Sequence, residues 1–172
     1  SIVDNNPFEM IYKGEEAPVF PHKLKDIVEL EGFGLLAKTP FGNSATKELA
    51  KAAIVGEDLG KDDVTDFLAV SFSSTDYIGH QFGARSIETE DTYLRLDQDI
   101  ADLLAFLDNT VGEHSYVVFL TADHGAAETP LYLENMKIPA GYFEKERFKN
   151  ELTEYLNRRF GSGEWIENFS ND

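Results

Sequence analysis

Two short apolar runs, each followed by small polar and ionisable residues, dominate the pattern of this chain. Residues 67–72 are apolar at both odd and even positions apart from Ser71. Residues 116–122 form a similar run that ends in Thr121 and Ala122. A short run of this kind is typical of a strand covered on both faces in a parallel sheet. Each run therefore predicts a buried strand with loop residues at its carboxyl end.

A long amphipathic stretch separates the two runs. Its apolar residues keep steps of three and four between Tyr93 and Val111, and Ser86 is a suitable N-cap residue before several acidic residues. We expect a helix over about residues 88–111 that ends at Gly112. Strand, helix and strand predict a βαβ unit with parallel strands and a right-handed crossover.

The remaining elements are shorter. Residues 1–21 are broken by prolines and glycine, which predicts an irregular strap outside the core. Helices are expected over residues 24–30, 45–58 and 144–160, an extended segment over 33–38, and a last short strand around Trp165, Ile166 and Phe169. The fold class predicted for residues 1–172 is a single α/β domain, a mainly parallel sheet flanked by helices.

Composition limits the partners more than the fold. The 172 residues carry a formal net charge of −17 and no cysteine. Nucleic acid and anionic membranes require a basic surface, so neither is an expected partner. The absence of cysteine excludes disulfides and thiolate metal ligands within these residues. No apolar run is long enough to span a bilayer.

The two predicted strand ends each offer a carboxylate and an imidazole. Asp76 and His80 are four residues apart, so one turn of helix would place them on the same face. Asp123 and His124 are adjacent and precede Gly125, where the backbone can turn. Parallel strands bring their carboxyl ends to one edge of a sheet. Oxygen and nitrogen ligands without thiolate suit zinc or a similar divalent ion.

Each pair also has an ordinary interpretation. An aspartate after a strand often caps a loop, and a histidine four residues later is often merely exposed. Two such pairs across one βαβ unit are a sharper signal than either alone. The other histidines, His22 and His114, are expected to be solvent-exposed loop residues, Glu128 is expected to be a surface acid, and Arg85 is left unassigned.

These residues resemble known motifs. Residues 76–83, from Asp76 through Gly79 and His80 to Gly83, are similar to the D-x-x-G-H-x-x-G segment of the alkaline phosphatase superfamily. Residues 121–125 resemble its T-x-D-H-G segment, and residues 39–43 resemble a segment that precedes both in the phosphatase branch. The likeness covers residues 18–160 and is closest to the threonine-nucleophile alkaline phosphatases within the type I phosphodiesterase and nucleotide pyrophosphatase branch.

The resemblance implies a partial alkaline-phosphatase-like core with two zinc ions. Asp76 and His80 would bind one ion, and Asp123 and His124 the other. The family's nucleophile, a further aspartate and a final histidine ligand have no counterpart here, so no catalytic residue is assigned. The chain is therefore expected to be an excised part of a larger phosphatase. Taken alone, it should lack phosphatase activity and be metal-free or bind zinc weakly.

Other consequences follow from the same likeness. The parent would hydrolyse a small phosphate ester in the periplasm or outside the cell. A phosphodiesterase or nucleotide pyrophosphatase is the alternative activity, and sulfatases and mutases share parts of the metal framework. A non-catalytic α/β binding module that keeps the scaffold is the alternative from another functional class.

Overall fold

The computed structural model describes residues 4–168, which divide into two compact units after Thr129. The first unit contains α1 (Leu24–Glu31), a 3-10 helix (Phe33–Lys38), α2 (Pro40–Gly56), α3 (Ser74–Phe82), α4 (Ile87–Leu107) and a π-helical turn (Asp108–Gly112). The second contains α5 (Pro130–Asn135) and α6 (Lys145–Phe160). The single domain expected from the sequence stays a prediction.

The parallel sheet is not confirmed, because no segment among residues 4–168 forms a β-strand. The two apolar runs are irregular and largely exposed, with Phe67 80% exposed, Val117 92% and Phe119 74%. Their predicted burial is therefore wrong for this structure. A strand needs neighbours to pair its backbone N–H and C=O groups, and these residues have none in the described chain. The last predicted strand is also absent at Trp165 and Ile166, and Phe169 lies outside the described residues.

Three predicted helices are confirmed. They are α1, which ends where Gly32 N–H donates to the Val28 carbonyl at 2.8 Å, together with α4 and α6. Ser86 is the N-cap of α4, since its Oγ accepts a hydrogen bond from the Thr89 N–H at 3.1 Å. A polar side chain thus satisfies one of the amide donors left unpaired at a helix start.

The segment before α2 differs from the prediction. Residues 33–38 form a 3-10 helix where an extended segment was expected, and α2 begins at Pro40, five residues earlier than predicted. Proline suits the first turn of a helix because its missing N–H would have no partner there. Residues 40–44, which precede the predicted helix, are therefore its first residues. The short α5 was not predicted.

The hydrophobic core of the first unit joins the strap to three helical elements. Its buried side chains are Tyr12, Ile27, Leu35, Ile78 and Phe82. The expectation that residues 1–21 lie outside the core is wrong, because the Tyr12 ring packs 5.3 Å from the Phe82 ring and its hydroxyl donates to the Lys38 carbonyl at 2.6 Å. Burial of an aromatic ring with a bonded hydroxyl is favourable even in an irregular segment.

The start of α2 lies close to the start of α3. A Cβ added at Gly42 would lie 2.2 Å from the Ser74 Oγ and 2.6 Å from the Leu36 carbonyl oxygen. Glycine therefore permits a separation that a side chain would prevent. Asn43 strengthens this contact through a 3.0 Å hydrogen bond from its amide to the Thr75 hydroxyl. The first turn of α3 is thus fixed against α2.

Charged side chains connect α2 to α4. The buried Lys47 Nζ lies 3.0 Å from the Asp99 Oδ1 and 2.6 Å from the Asp102 Oδ2, and the Ser44 hydroxyl donates to Asp99 at 2.7 Å. Hydrogen bonding to Asp102 raises the pKa of Lys47 well above its usual range, despite the opposing effect of burial. The Lys47 ammonium is therefore charged and paired with the Asp99 and Asp102 side chains.

None of the helices at residues 4–168 is both long and apolar enough to cross a membrane.

Candidate metal centre

Helix α3 presents the first carboxylate and imidazole pair. Asp76 lies in its first turn and His80 in its last, with Asp76 Oδ1 3.3 Å from His80 Nε2. Ile78 and Phe82 occupy the opposite, buried face, which directs the two polar side chains away from the core. The helix ends at Gly83, whose φ of 90° suits glycine and whose N–H donates to the Gly79 carbonyl. The predicted sharing of one helix face is confirmed.

His124 joins this pair from the loop that follows residues 116–122. Its Nε2 lies 3.4 Å from the same Asp76 Oδ1, and its ring centroid is 6.4 Å from that of His80. One ligand atom from each of Asp76, His80 and His124 lies within 4.8 Å of the other two. All three side chains are exposed, so a solvent ion can reach them. The structure therefore brings together residues from both predicted strand ends although the strands themselves are absent.

Asp123 lies beside this cluster. Its side chain is 91% exposed, and its Oδ2 is 3.9 Å from His124 Nε2. Its Oδ1 accepts a hydrogen bond from the His124 N–H at 3.1 Å. The structure thus places three of the four predicted ligands together and the fourth next to them. The assignment of Asp76, His80, Asp123 and His124 as metal ligands stays a prediction.

The donor set and its spacing fit a zinc ion. Ligand atoms bound at about 2.0–2.1 Å to a tetrahedral zinc stand about 3.3–3.4 Å apart. Within the Asp76 and His80 pair, Oδ1 and Nε2 have this separation, and His124 Nε2 lies 3.4 Å from the same oxygen. Carboxylate oxygens and imidazole nitrogens are donors that zinc prefers.

A backbone carbonyl orients the His124 ring. Its Nδ1 lies 3.1 Å from the Gly125 oxygen, which can only accept, so Nδ1 carries the proton in the neutral ring and the Nε2 lone pair faces Asp76. This hydrogen bond is the largest cause of a raised His124 pKa, followed by the charges of Asp123 and Asp76. The tautomer that can bind a metal through Nε2 is therefore the one that the loop favours.

An ion pair between the two loops was missed by sequence reasoning. Arg85, two residues after Gly83, contacts Glu128, four residues after His124, through a forked set of three hydrogen bonds at 2.6–2.9 Å. This pairing lowers the pKa of Glu128. The available signal in the sequence was that Arg85 follows the motif at residues 76–83 and Glu128 follows the motif at residues 121–125. Neither motif indicates that the two side chains pair.

The expected exposure of His22 is wrong. Its side chain is only 6% exposed, and its two ring nitrogens lie 2.8 Å from Glu15 Oε2 and 3.0 Å from Glu88 Oε1. Burial lowers the pKa of His22, but hydrogen bonds to Glu88 and Glu15 outweigh it, so the pKa is raised overall. The aromatic residues of the strap were the signal for this packing. His114 is exposed as predicted.

Comparison with known proteins places these motifs in context. The sequence pattern of the family described as type I phosphodiesterase / nucleotide pyrophosphatase matches residues 15–161. A protein of Myroides odoratus named "Calcium-transporting ATPase" is 48% identical over 173 residues, covering 99% of this chain and 32% of its own length. Alkaline phosphatase PhoV of Synechococcus elongatus is 52% identical over 141 residues, 82% of this chain and 25% of PhoV.

A solved structure shows the same fold. Alkaline phosphatase PafA of Elizabethkingia meningoseptica is 46% identical over 161 residues, which cover 92% of this chain and 29% of PafA. The crystal structure of wild-type PafA superimposes with a TM-score of 0.86, over 94% of this chain and 30% of the PafA chain. The chain therefore spans about a quarter to a third of the length of these three curated relatives.

Proposed function

Because this chain belongs to the type I phosphodiesterase / nucleotide pyrophosphatase family, we propose that it is the metal-ligand part of a larger two-zinc phosphoric ester hydrolase. The relatives named alkaline phosphatase, PhoV and PafA, support a phosphomonoesterase acting on a small phosphate ester. A periplasmic or extracellular location belongs to the same proposal.

The observation that carries the proposal is the position of Asp76. Its Oδ1 lies 3.3 Å from His80 Nε2 and 3.4 Å from His124 Nε2, although His124 is 48 positions further along the chain. Hydrogen bonding alone explains a carboxylate beside one imidazole. Convergence of two exposed imidazoles on one carboxylate oxygen supports a cation site where the two proposed ligand pairs meet.

Two zinc ions in such an enzyme activate an attacking oxygen, hold the nucleophile and stabilise the leaving group. In this chain, Asp76 and His80 are proposed for one ion and Asp123 and His124 for the other. The two imidazoles supply neutral nitrogen ligands, and the aspartates reduce the positive charge of the ions. The Gly125 carbonyl keeps the His124 proton on Nδ1, away from the metal-binding nitrogen.

The 172-residue chain alone is proposed to lack appreciable phosphatase activity. No residue here matches the nucleophile of the resembled family, and each proposed half-site contributes two ligands where a catalytic zinc has three and a water. Zinc binding should therefore be weak. Small phosphate esters are the proposed substrates of the parent, with no role for nucleic acid.

A phosphodiesterase or nucleotide pyrophosphatase is the second candidate, favoured by the name of the matching family. Its substrates have a second ester group on phosphorus. The residues that would separate the two substrate classes are not assigned in this chain. A non-catalytic module that keeps the scaffold is the remaining alternative, and absence of zinc binding would favour it.

Calorimetric titration with zinc and a p-nitrophenyl phosphate assay test the proposal. We expect weak zinc binding that is abolished by Asp76→Asn or His80→Ala, with no turnover. Asp63→Asn and His114→Asn change the same residue types at exposed positions outside the cluster and should leave binding unchanged. Tight binding of two ions, or turnover that survives Asp123→Ala, would contradict the assignment by revealing a complete site in these residues.

A further inference from the structure

The candidate ligands lie on helix α3 and on the loop around His124, and these two segments make different kinds of contact with the rest of the first unit. The loop after α3 is anchored to the start of α4, because the Gly83 carbonyl accepts hydrogen bonds from the Ser86 hydroxyl at 3.1 Å and the Thr89 hydroxyl at 2.8 Å. Ser86 and Thr89 are themselves buried. Asp76, His80 and the backbone of Arg85 therefore belong to one well-supported region.

The loop that carries His124 has weaker local support. In the described part of the chain, the hydrogen bonds of Thr121 and His124 reach only adjacent residues. Residues 117–127 are exposed. Local hydrogen bonds of this kind shape the loop, but they do not fix its distance from α3.

Arg85 and Glu128 supply a connection between the two loops. Arg85 Nε lies 2.9 Å from both Glu128 oxygens, and Nη2 lies 2.6 Å from Oε1. A guanidinium that forks onto a carboxylate restricts orientation as well as distance. Next to the pair, a Cβ at Gly83 would lie 2.9 Å from the Thr129 Oγ1, so the two loops are also in close contact there.

We propose that Arg85 and Glu128 are positioning residues that hold the His124 loop against the Asp76 and His80 helix and so set the spacing of the metal ligands. Neither residue lies in the three-ligand cluster. Outer-shell partners of metal sites act in this way, and their loss typically lowers metal affinity about 10- to 100-fold. The role in metal binding rests on the proposed function, whereas the mechanical connection between the loops does not.

The pair is exposed enough to separate positioning from stability. The Arg85 side chain is 60% exposed and the Glu128 side chain 35%, and exposed ion pairs contribute little to folding stability. Breaking the pair should therefore leave the midpoint of urea unfolding nearly unchanged. It should instead allow the His124 loop to move relative to α3.

Two measurements on the 172-residue chain test the proposal. The first is the nuclear Overhauser effect between the His80 and His124 rings, whose centroids are 6.4 Å apart, recorded without metal. The second is zinc affinity by calorimetric titration. We expect Arg85→Ala and Glu128→Ala each to remove the ring-to-ring signal and to weaken zinc binding about tenfold. Arg85→Lys should recover part of both, because an ammonium keeps the charge without the fork.

Control variants separate this role from general loss of charge. Arg147→Ala breaks an ion pair of the same residue types in the other unit, with Arg147 Nε 2.8 Å from Glu151, and should change neither measurement. The exchange of charges in Arg85→Glu with Glu128→Arg should restore more of the His80 to His124 signal than either single change retains.

The outcomes distinguish this inference from the proposed function. If the wild-type chain binds no zinc but the His80 to His124 signal depends on Arg85, the inference stands and the metal site fails. If zinc binds and neither measurement responds to Arg85→Ala, the inference is overturned and the metal site stands. Absence of the ring-to-ring signal in the wild type would also overturn the inference.

Discussion

His22 Nε2 lies 3.0 Å from the Glu88 Oε1, a contact that spans 66 positions of the chain. The opposite ring nitrogen lies 2.8 Å from Glu15. A neutral imidazole donates from one nitrogen only, whereas a protonated ring can donate from both nitrogens to the two glutamate side chains. The rings of Tyr12 and Phe82 lie 4.8 and 5.3 Å away. His22 therefore connects the strap to α4, and although burial lowers its pKa, the hydrogen bonds to Glu88 and Glu15 raise it overall.

The first prediction is that stability decreases with rising pH through the titration of His22. Its folded-state pKa is raised, so the stabilisation is fully present below the unfolded pKa of about 6.5 and is lost as pH rises through the folded value. Urea unfolding of the chain from pH 6 to about 9 measures this, below the pH at which an unfolded tyrosine ionises. Tyr12, whose pKa is raised chiefly by burial, stays neutral in that range.

His22→Ala should destabilise the chain by about 3 kcal/mol at pH 6, because it leaves the buried Glu88 carboxylate without its counter-charge. It should also flatten the stability profile between pH 6 and 9. His114→Asn is the control, since His114 is exposed and asparagine tolerates its φ of 69°. An unchanged pH profile in His22→Ala would show that another group titrates.

The second prediction concerns the separation of α2 and α3. Gly42→Ala should destabilise the chain by about 1–3 kcal/mol, because the new methyl group would overlap Ser74 and the Leu36 backbone. Gly56→Ala lies in the same helix with nothing within 4 Å of the added atom, and it should be neutral or stabilise by up to about 1 kcal/mol. Urea unfolding at one pH compares them. Equal effects would contradict the close approach.

The third prediction is that the α2 and α4 charges act as one network. Lys47→Met should cost about 3 kcal/mol, because it removes the ion-pair partner of the buried Asp99 side chain. Lys47→Met combined with Asp99→Leu should cost less than the sum of the single changes by about 1–3 kcal/mol. Urea unfolding measures each value, with exposed Lys25→Met as control. Additive costs would mean that the two side chains are independent.

The amphipathic helices were predictable because their patterns depend on neighbouring residues. For the same reason, the four-residue spacing of Asp76 and His80 was enough to predict that both lie on one face of a helix. The paired glutamates of His22 could not be predicted, since one lies 66 residues away and nothing in the local pattern specifies it. The apolar pattern of residues 67–72 indicates which side chains a strand would bury. Whether a strand forms depends on backbone pairing with other segments, which the local pattern does not specify.

The fourth prediction is that copies of the chain associate at high salt through their exposed apolar segments. Unpaired apolar segments favour edge-to-edge contact, and the net charge of −17 opposes it until salt screens the repulsion. Sedimentation velocity at low salt and about 1 M salt, where the screening length is about 3 Å, measures the change.

Val117→Lys should reduce this association, because Val117 is 92% exposed within one of these segments. Leu49→Lys introduces the same charge at an exposed position of α2 and should have a smaller effect. If the two variants associate equally, contact through residues 116–122 is excluded.

The candidate ligands follow directly after the exposed segments, and this couples metal affinity to events far from the metal. Ordering a loop from a mobile ensemble costs conformational entropy, which lowers the affinity of whatever the loop binds. A neighbouring strand that paired with residues 67–72 or 116–122 would partly order the adjacent loop before zinc binds, so that less conformational entropy is lost on binding. Zinc affinity would rise without any change in its ligands, and by thermodynamic reciprocity a bound zinc would favour the strand pairing to the same degree.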